Sequence, residues 1–239
     1  MGVFIAELIK IRRSAAWILA ALVPSVTAVA SAMGAWTSGG FEDGWNTLWI
    51  RSIGLYGMLM LGVGLSVLAS LVWRAMAAQP VAAWRLASAK VLALALLATF
   101  MQAVLLLTVL FLGKVVFHLP AWLPARYYAV SVLVVVASVP VCAAQSALSA
   151  RSRSFVLPVV IGFVLTCVGA VLLAIKVRAA LIYPYCLLAH TTQLGSGSGA
   201  DASALTIQSA TLTVVLSVAL TALCVLATAR YFNRTDTHA

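Results

Sequence analysis

The side chains in this sequence that could do chemistry are few and scattered. It has no G-x-S-x-G nucleophile turn, no H-E-x-x-H zinc-ligand pair and no G-x-x-x-x-G-K-[ST] phosphate loop. Four cysteines occur without a C-x-x-C pair, and no histidine stands at ligand spacing. The sequence therefore predicts no catalytic residue, no metal site and no cofactor bound by this chain. The cysteines are Cys142, Cys167, Cys186 and Cys224, and the histidines, which we expect to be solvated or interfacial, are His118, His190 and His238.

The remaining polar candidates are amides and hydroxyls inside long apolar runs. Thr99 and Gln102 stand in one run and Gln145 in the next. Hydrogen bonding between neighbouring helices is the ordinary role of such residues, but an amide near mid-membrane could also face a substrate. We keep both interpretations and treat the three as a candidate substrate path. No ionisable residue falls deep in these runs, which disfavours ion-coupled carriers, because those bind the coupling ion near the midplane.

The proportion of apolar and charged residues indicates whether this chain folds in water or in a membrane. Of its 239 residues, 64% are apolar and 8% are charged, whereas a soluble domain carries about 25% charged residues. Such a chain cannot cover a water-facing surface with polar groups, so the bilayer is its expected solvent. The net charge of +10 comes from small groups of Lys and Arg between the apolar runs. Because they form no stripe with interleaved aromatic residues, we predict contact with membrane lipid and no nucleic-acid binding.

Six apolar runs are long enough to cross a bilayer as helices. We predict an all-α integral membrane protein with a six-helix domain over 14–230 and a short cytoplasmic tail over 231–239. The stretch Ala179–His190 is too short to cross and predicts a re-entrant or interfacial segment before the last span. The second run is rich in glycine (Gly54, Gly57, Gly62, Gly64), which predicts close packing on a neighbouring helix. The spans cover about 14–34, 52–72, 91–113, 127–148, 154–175 and 209–229.

Two segments outside the spans are typical of the membrane interface. Residues 1–13 alternate apolar and charged side chains at helical spacing, which predicts an amphipathic helix in the headgroup plane. The loop over 35–51 holds aromatic residues of the kind that anchor span ends. The charged residues of the first segment are Glu7, Lys10, Arg12 and Arg13, and the aromatic residues of the loop are Trp36, Phe41, Trp45 and Trp49.

Basic residues are divided unevenly between the two sides of the predicted bundle. With the amino terminus inside, ten Lys and Arg fall on the inner side and five on the outer side. Basic residues near span ends are retained in the cytoplasm. We therefore expect a multi-pass protein of the plasma membrane with both termini cytoplasmic.

The most distinctive segment is WRAMAAQPVAAWRLASAK, from Trp73 to Lys90, between spans two and three. Its apolar residues, including Trp84, fall roughly on one helical face, and Arg74, Arg85 and Lys90 form the basic part. Pro80 is expected to start or bend a helix. Such a helix could cover the membrane surface or enter a groove on a cytoplasmic partner.

Together with the amino-terminal ELIKIRRS, this segment resembles the ABC-2 type transporter permeases, in particular the branch of lantibiotic-immunity and other peptide-antibiotic export permeases. The similarity extends to the six-span plan and the long connection before span six. One departure is the absence of the glutamate that the family often has before the tryptophan. The matching residues are Glu7, Lys10, Arg12, Arg13 and Ser14, then Trp73, Arg74, Gln79, Pro80, Val81 and Lys90.

The resemblance implies an ABC-2 exporter-like fold and a permease subunit of an ATP-driven ABC exporter. Its cargo would be an amphipathic or hydrophobic compound, and the favoured one is a lantibiotic or other peptide antibiotic. The role of the exporter would then be self-immunity or resistance. A cytoplasmic ABC ATPase subunit would carry ATP and Mg²⁺ and dock on a coupling helix at about 73–89, and a second identical or related permease would complete the assembly. The implied docking residues are Trp73, Arg74, Gln79, Pro80, Val81, Trp84 and Arg85.

Two other classes of function remain open on the sequence alone. A stand-alone channel or secondary carrier would need no ATPase, although the uncharged spans disfavour it. A non-transporting membrane sensor or scaffold would have the same composition.

Overall fold

The structure is a computed structural model that describes residues 14–41, 43–74, 83–152, 154–195 and 205–236. Within these ranges, six helices are long and apolar enough to cross a membrane, which confirms the predicted all-helical, six-span fold. The spanning helices are α1 (Ala16–Thr37), α2 (Trp45–Arg74), α3 (Ala83–Phe111, continued as a π-helix over Leu112–Val116), α4 (Ala125–Arg151), α5 (Val156–Ala174) and α7 (Ile207–Asp236). A short helix, α6 (Pro184–Gln193), follows a 3-10 turn over Arg178–Ile182.

The bundle has two ends, which we name by the first helix. The end at which α1 begins is the proximal end, and the opposite end is the distal end. Because successive spans run in opposite directions, Arg74, Trp84 and Arg151 lie at the proximal end. Trp45 and Arg126 lie at the distal end.

Several helices are longer than the apolar runs that predicted them. The second span begins at Trp45 rather than near residue 52, and the third at Ala83 rather than near residue 91. The last helix continues to Asp236, through most of the stretch predicted as a tail over 231–239. Hydropathy marks the hydrocarbon-facing part of a helix, whereas the helix itself ends where its backbone hydrogen bonds end.

α2 and α4 form the centre of the bundle. α4 packs against α2, α3, α6 and α7, while α2 packs against α1, α4 and α5. α1 lies on α3, where Trp17 meets Phe100 edge to face with ring centroids 4.7 Å apart. α7 is the most exposed span and carries large apolar side chains on its outer face, including Val218 and Leu223.

The glycines of α2 let neighbouring helices approach closely, as their number predicts. A Cβ atom at Gly57 would overlap the side chain of Thr192 on α6. A Cβ at Gly62 would lie 2.5 Å from Thr166 Oγ1 on α5, and one at Gly64 would lie 3.0 Å from the Met101 side chain on α3. Gly54 is the exception, since nothing lies within 4 Å of its Cβ position.

α6 is a re-entrant helix rather than an interfacial one. Its residues from Tyr185 to Gln193 are all buried, against α4 and α5. Tyr183, just before it, donates a 2.8 Å hydrogen bond from its hydroxyl to the Leu165 carbonyl, in the middle of α5. The expectation that His190 would be solvated or interfacial is therefore wrong: this residue lies in α6 and is buried. The histidine falls outside the six spans but inside the packed bundle.

Two tryptophans expected as interfacial anchors are instead part of the packed interior. Trp45 and Trp49 begin α2 and are buried. Trp49 stacks on Tyr127 of α4 with ring centroids 5.1 Å apart, and Trp45 Nε1 donates to the Pro120 carbonyl at 2.9 Å. They join α2 to α4 and to the loop before it, because the helix starts earlier than hydropathy indicates.

The contact between α5 and α6 gives a test of the re-entrant packing. A Cβ at Gly169 would lie 2.9 Å from the backbone of Tyr185 and Cys186, and backbone cannot move aside as a flexible side chain can. We expect Gly169→Ala to destabilise the protein by about 1–3 kcal/mol through overpacking, measured as the midpoint of thermal unfolding in detergent.

The matched control is Gly54→Ala, which adds the same methyl group to open space on a helix. This change should leave the midpoint unchanged or raise it, since alanine favours the helix by about 1 kcal/mol over glycine. Equal midpoints for the two variants would contradict the close approach of α6 to α5.

Candidate functional site

The segment expected to meet a partner is flanked by the proximal ends of α2 and α3. α2 ends at Arg74 and α3 begins at Ala83. The predicted docking residues Gln79, Pro80 and Val81 lie outside the described residues, as do Glu7, Lys10, Arg12 and Arg13 of the amino-terminal segment. The described part of the docking segment therefore belongs to the ends of two spanning helices.

Trp73 faces the interior of the bundle. It is 7% exposed, and its indole Nε1 donates a 2.8 Å hydrogen bond to Ser146 Oγ on α4. A buried indole N–H needs such a partner, because an unpaired donor would cost its full desolvation free energy. Trp73 thus fixes the end of α2 to α4 from the inner side of the predicted docking segment.

Lys90 is also inside the bundle, which corrects its interpretation as part of a basic face. The residue is fully buried, and its Nζ donates a 2.9 Å hydrogen bond to the Val72 carbonyl. The same ammonium group lies 4.9 Å from the centroid of the Trp73 ring. Carbonyl groups in the last turn of a helix carry partial negative charge and favour a cation. Lys90 therefore ties α3 to the last turn of α2.

Trp73, Ser146 and Lys90 form a buried contact that we name the proximal joint. Three of the predicted docking residues are exposed around it. Trp84 is 57% exposed, and the Arg85 guanidinium lies 5.3 Å from its ring centroid. Arg74 is exposed as well, with its guanidinium 5.3 Å from the ring of Phe155, just before α5. An aromatic surface with two arginines is thus available at the proximal end.

The three residues predicted as a substrate path do not lie together. The Thr99 hydroxyl donates to the Ala95 carbonyl of its own helix at 2.8 Å, and the side chain is exposed on the outside of α3. Gln102 is buried and donates from Nε2 to Ser131 Oγ on α4 at 3.2 Å. Gln145 stands fourteen positions further along α4 than Ser131, which is about 21 Å at 1.5 Å per residue. The two amides therefore occupy separate levels of the bundle.

Gln145 belongs to a cluster that the sequence did not reveal. Its Nε2 donates a short hydrogen bond to the Tyr185 hydroxyl of α6, and its Oε1 is buried without a partner in the described structure. A Cβ at Gly162 would overlap both Gln145 and Ser66 of α2, so these side chains meet across the glycine. Thr166 lies one turn away and donates to the Gly162 carbonyl at 2.7 Å. We name Ser66, Gln145, Thr166 and Tyr185 the interior polar cluster.

The interior polar cluster joins four helices in the part of the bundle nearest to α6. Its members come from α2, α4, α5 and α6, so a relative movement of any two would break or strain a contact. Only Gln145 is conspicuous in the sequence; a serine, a threonine and a tyrosine in apolar surroundings carry no such signal. Tyr185 reaches the cluster because α6 is re-entrant, which hydropathy leaves open.

At the distal end, α2 and α4 are joined a second time. Arg126 Nη2 and the Tyr127 hydroxyl both donate to Asn46 Oδ1, at 2.7 Å and 2.6 Å. Lys114 Nζ donates to the Leu119 carbonyl at 3.2 Å and lies 5.1 Å from the ring of Trp122. The central helices are thus held by polar contacts at both ends.

No set of three or more His, Cys, Asp or Glu side chains that could hold a metal ion occurs in the described part of the chain. None of the four cysteines, all within the described residues, forms a disulfide. The polar features of the described bundle are therefore amides, hydroxyls and basic groups.

A family model described as ABC-2 family transporter protein matches residues 3–169. The match extends from the amino-terminal segment through most of α5 and includes the connection between α2 and α3. The chain belongs to the ABC-2 transporter family. Among curated proteins and among solved structures, none matches the chain.

Membership in the ABC-2 family gives the structure its general role. The chain is a permease subunit of an ABC transporter and a multi-pass membrane protein. Such subunits are typically non-catalytic, and the family implies an ABC ATPase partner and often a second permease. The re-entrant helix α6 and the last span α7 lie beyond the matched residues.

The joint between α2 and α4 can be measured with a double-mutant cycle. Trp73→Phe removes the indole N–H and leaves Ser146 Oγ without this donor, so we expect a loss of about 1–2 kcal/mol of stability. Ser146→Ala should cost a similar amount, and the double variant should cost less than the sum of the two. Thermal unfolding midpoints in detergent report all three values.

The control is Trp84→Phe, which makes the same change on an exposed ring and should shift the midpoint little. Additive effects of Trp73→Phe and Ser146→Ala would rule out the hydrogen bond as the tie between the two helices.

Proposed function

We propose that this chain is the membrane subunit of an ATP-driven exporter for an amphipathic or hydrophobic compound. The favoured cargo is a lantibiotic or other peptide antibiotic, and the role is self-immunity or resistance. The energy comes from a separate ATPase subunit that binds ATP and Mg²⁺ and docks on the segment at about 73–89. The observation that carries this proposal is that the proximal joint (Trp73, Lys90 and Ser146) lies next to the exposed Trp84 and Arg74.

The joint is suited to transmit movement from a docked partner into the membrane. A partner that binds the segment would pull on the last turn of α2 and the first turns of α3 together, because Lys90 ties these to each other. Trp73 would pass the displacement on to α4 through Ser146. Packed cores respond to such displacements by switching between discrete arrangements rather than by deforming continuously.

The interior polar cluster is the expected recipient of this movement. α2 and α4 contribute both to the proximal joint and to the cluster, through Trp73 and Ser66 on one helix and Ser146 and Gln145 on the other. A shift of α2 relative to α4 would therefore change the contacts of α6. We infer that α6 closes the bundle in one state and moves away from the cluster in the other.

The largely apolar interior favours a cargo that already partitions into lipid. The six apolar spans, the last taken over Ile207–Arg230, contain no Asp or Glu, and the buried Lys90 donates to the Val72 carbonyl near the proximal end. A cargo further inside the bundle would therefore meet hydroxyls, amides and apolar side chains. An amphipathic peptide lies at the membrane interface with its apolar face in the acyl chains, and it could enter the transporter sideways from the bilayer. The glutamate that the family often has before the tryptophan is missing here, which fits either an altered contact with the ATPase or one half of a pair with a related permease.

The proposed orientation places the proximal end in the cytoplasm of a bacterial cell. The excess of Lys and Arg on that side supports it, because basic residues close to span ends are retained in the cytoplasm. Both termini and the docking segment then face the ATPase. The distal end, with its paired aromatic and basic groups, faces outward.

Docking can be tested by purifying the protein with the ATPase encoded beside it. Charged replacements in the docking segment, Trp84→Asp combined with Val81→Asp, should abolish co-elution, because an aspartate in an apolar contact loses its hydration without gaining a partner. Trp122→Asp is the matched control: this tryptophan is 73% exposed but lies between α3 and α4 at the distal end. Retained co-elution of the docking variant would contradict the docking assignment.

Transport can be tested in cells that produce the permease and the ATPase together. We expect tolerance to an added lantibiotic to rise about tenfold or more over cells with either subunit alone, since neither completes the transporter. An ATPase variant that cannot hydrolyse ATP should remove the effect. Flux through the purified permease in sealed vesicles without nucleotide or partner would identify a channel or secondary carrier instead. Binding of the ATPase without any flux or tolerance would indicate a sensor or scaffold.

A further inference from the structure

The second span, α2, is not a regular α-helix along its whole length. Between an α-helical distal half (Trp45–Leu55) and an α-helical proximal half (Leu61–Arg74), the residues Tyr56–Met60 form one π-helical turn. There the Leu61 backbone N–H donates to the Tyr56 carbonyl, five residues back instead of four. Single π-helical turns inside α-helices are frequent at functional sites, and helices bend at them. We name Tyr56–Met60 the π-turn of α2.

The two halves of α2 pack against different parts of the bundle. The distal half lies mainly on α1, with smaller contacts to α6 and α3, and its Trp49 stacks on Tyr127 at the start of α4. The proximal half lies mainly on α4 and α5 and ends in the proximal joint. The π-turn is therefore the boundary between two segments that are held by different neighbours.

α4 is interrupted at about the same level. Pro140 lies inside this helix and has no N–H, so the Val136 carbonyl loses the hydrogen bond that residue 140 would otherwise donate. Val136 stands nine positions after Tyr127, about 14 Å along the helix, and the π-turn spans seven to eleven positions after Trp49, roughly 10–16 Å. Because Trp49 and Tyr127 stack on each other, both central helices are interrupted at one level between their distal and proximal ties.

A side chain of α6 holds the π-turn from one side. Thr192 packs directly on Gly57, the second residue of the turn, where a Cβ atom would overlap it. The Thr192 hydroxyl donates to the Ala189 carbonyl of its own helix at 2.8 Å, so the contact with Gly57 depends on shape and not on a hydrogen bond. Such a contact can be made and broken without leaving a polar group unpaired.

The polar side chains at the distal edge of the π-turn do not fix it in place. The Ser52 and Tyr56 hydroxyls are buried and have no hydrogen-bond partner in the described structure. Most serines and threonines of these helices donate to a carbonyl of their own helix, as Ser66 does to Gly62 at 2.8 Å. A buried hydroxyl without a partner costs free energy. The π-turn is therefore held by its packing neighbours rather than by side-chain hydrogen bonds of its own.

We propose that the π-turn of α2 is a hinge, that α4 bends with it at Pro140, and that Thr192 on Gly57 is the latch that keeps the hinge closed. When α6 leaves the interior polar cluster, the latch opens and the proximal half of α2 moves while the distal half stays on α1. Hinges of this kind are a few residues that absorb the change in backbone dihedral angles. The movement of α6 rests on the proposed function, whereas opening of the latch by substitution needs no partner.

The test is hydrogen–deuterium exchange of the full-length protein in detergent, read from peptides that cover α2. Thr192→Ala removes atoms that pack on Gly57, and Gly57→Ala displaces Thr192, so each should speed exchange at residues 57–62 by about fivefold or more. Exchange at residues 46–53 and 66–73 should stay unchanged, because the contacts of both halves remain. Thr192→Val keeps the shape of the side chain and should exchange as the unchanged protein does.

Two controls make the same changes away from the latch. Thr213→Ala truncates a similarly buried threonine of α7, which also donates to its own helix, at 2.9 Å to the Ser209 carbonyl. Gly54→Ala adds a methyl group to α2 where nothing lies within 4 Å. Neither should speed exchange at the π-turn. Faster exchange along the whole of α2 in the latch variants, or no faster exchange in either of them, would overturn the hinge.

A second arm separates the hinge from the proposed function. Nucleotide binding to the complex of the unchanged permease with its ATPase should speed exchange at residues 57–62 of α2 and 136–141 of α4. Faster exchange elsewhere in α2, with none at the π-turn, would overturn the hinge. No change anywhere in the permease would contradict the proposed function, while the latch variants still confirm or overturn the hinge by themselves.

Discussion

In a hydrocarbon solvent, a buried polar group that finds no partner inside the protein costs free energy, and this cost determines which helices of the bundle are joined by polar contacts. Most serines and threonines avoid it locally by donating to a carbonyl one turn back, as Thr27 and Thr213 do at 2.7 Å and 2.9 Å. The groups that cannot do so, above all Trp73, Lys90, Gln102 and Gln145, join one helix to another. Those few contacts decide which helices are held together.

Small residues determine where such contacts can form. Between apolar helices in lipid there is little hydrophobic gain from association, so close packing and hydrogen bonds must supply the attraction. Gly57, Gly62, Gly162 and Gly169 each leave room for a polar side chain or for the backbone of a neighbour. The re-entrant helix α6 depends on this, because it is buried against α4 and α5 along most of its length.

The two central helices connect the proximal joint to the membrane interior. α2 and α4 are tied near their proximal ends through Trp73 and Ser146, and at their distal ends through Asn46 and Tyr127. Between these ties lies the interior polar cluster. In the mechanism that we propose, this pair of helices is the mechanical link from the docking segment to the interior polar cluster.

The sequence by itself determined the solvent, the six spans and the family resemblance, because length and hydropathy along the chain are local properties that the bilayer selects directly. It could not determine which way each side chain faces, since apolar side chains predominate on both the lipid-facing and the protein-facing sides of these helices. Only the tertiary structure placed Trp73 and Lys90 in the interior, separated Gln102 from Gln145, and brought Tyr185 to the centre of the bundle. Each of these outcomes depends on contacts between distant parts of the chain, and it is there that buried polar groups find their partners.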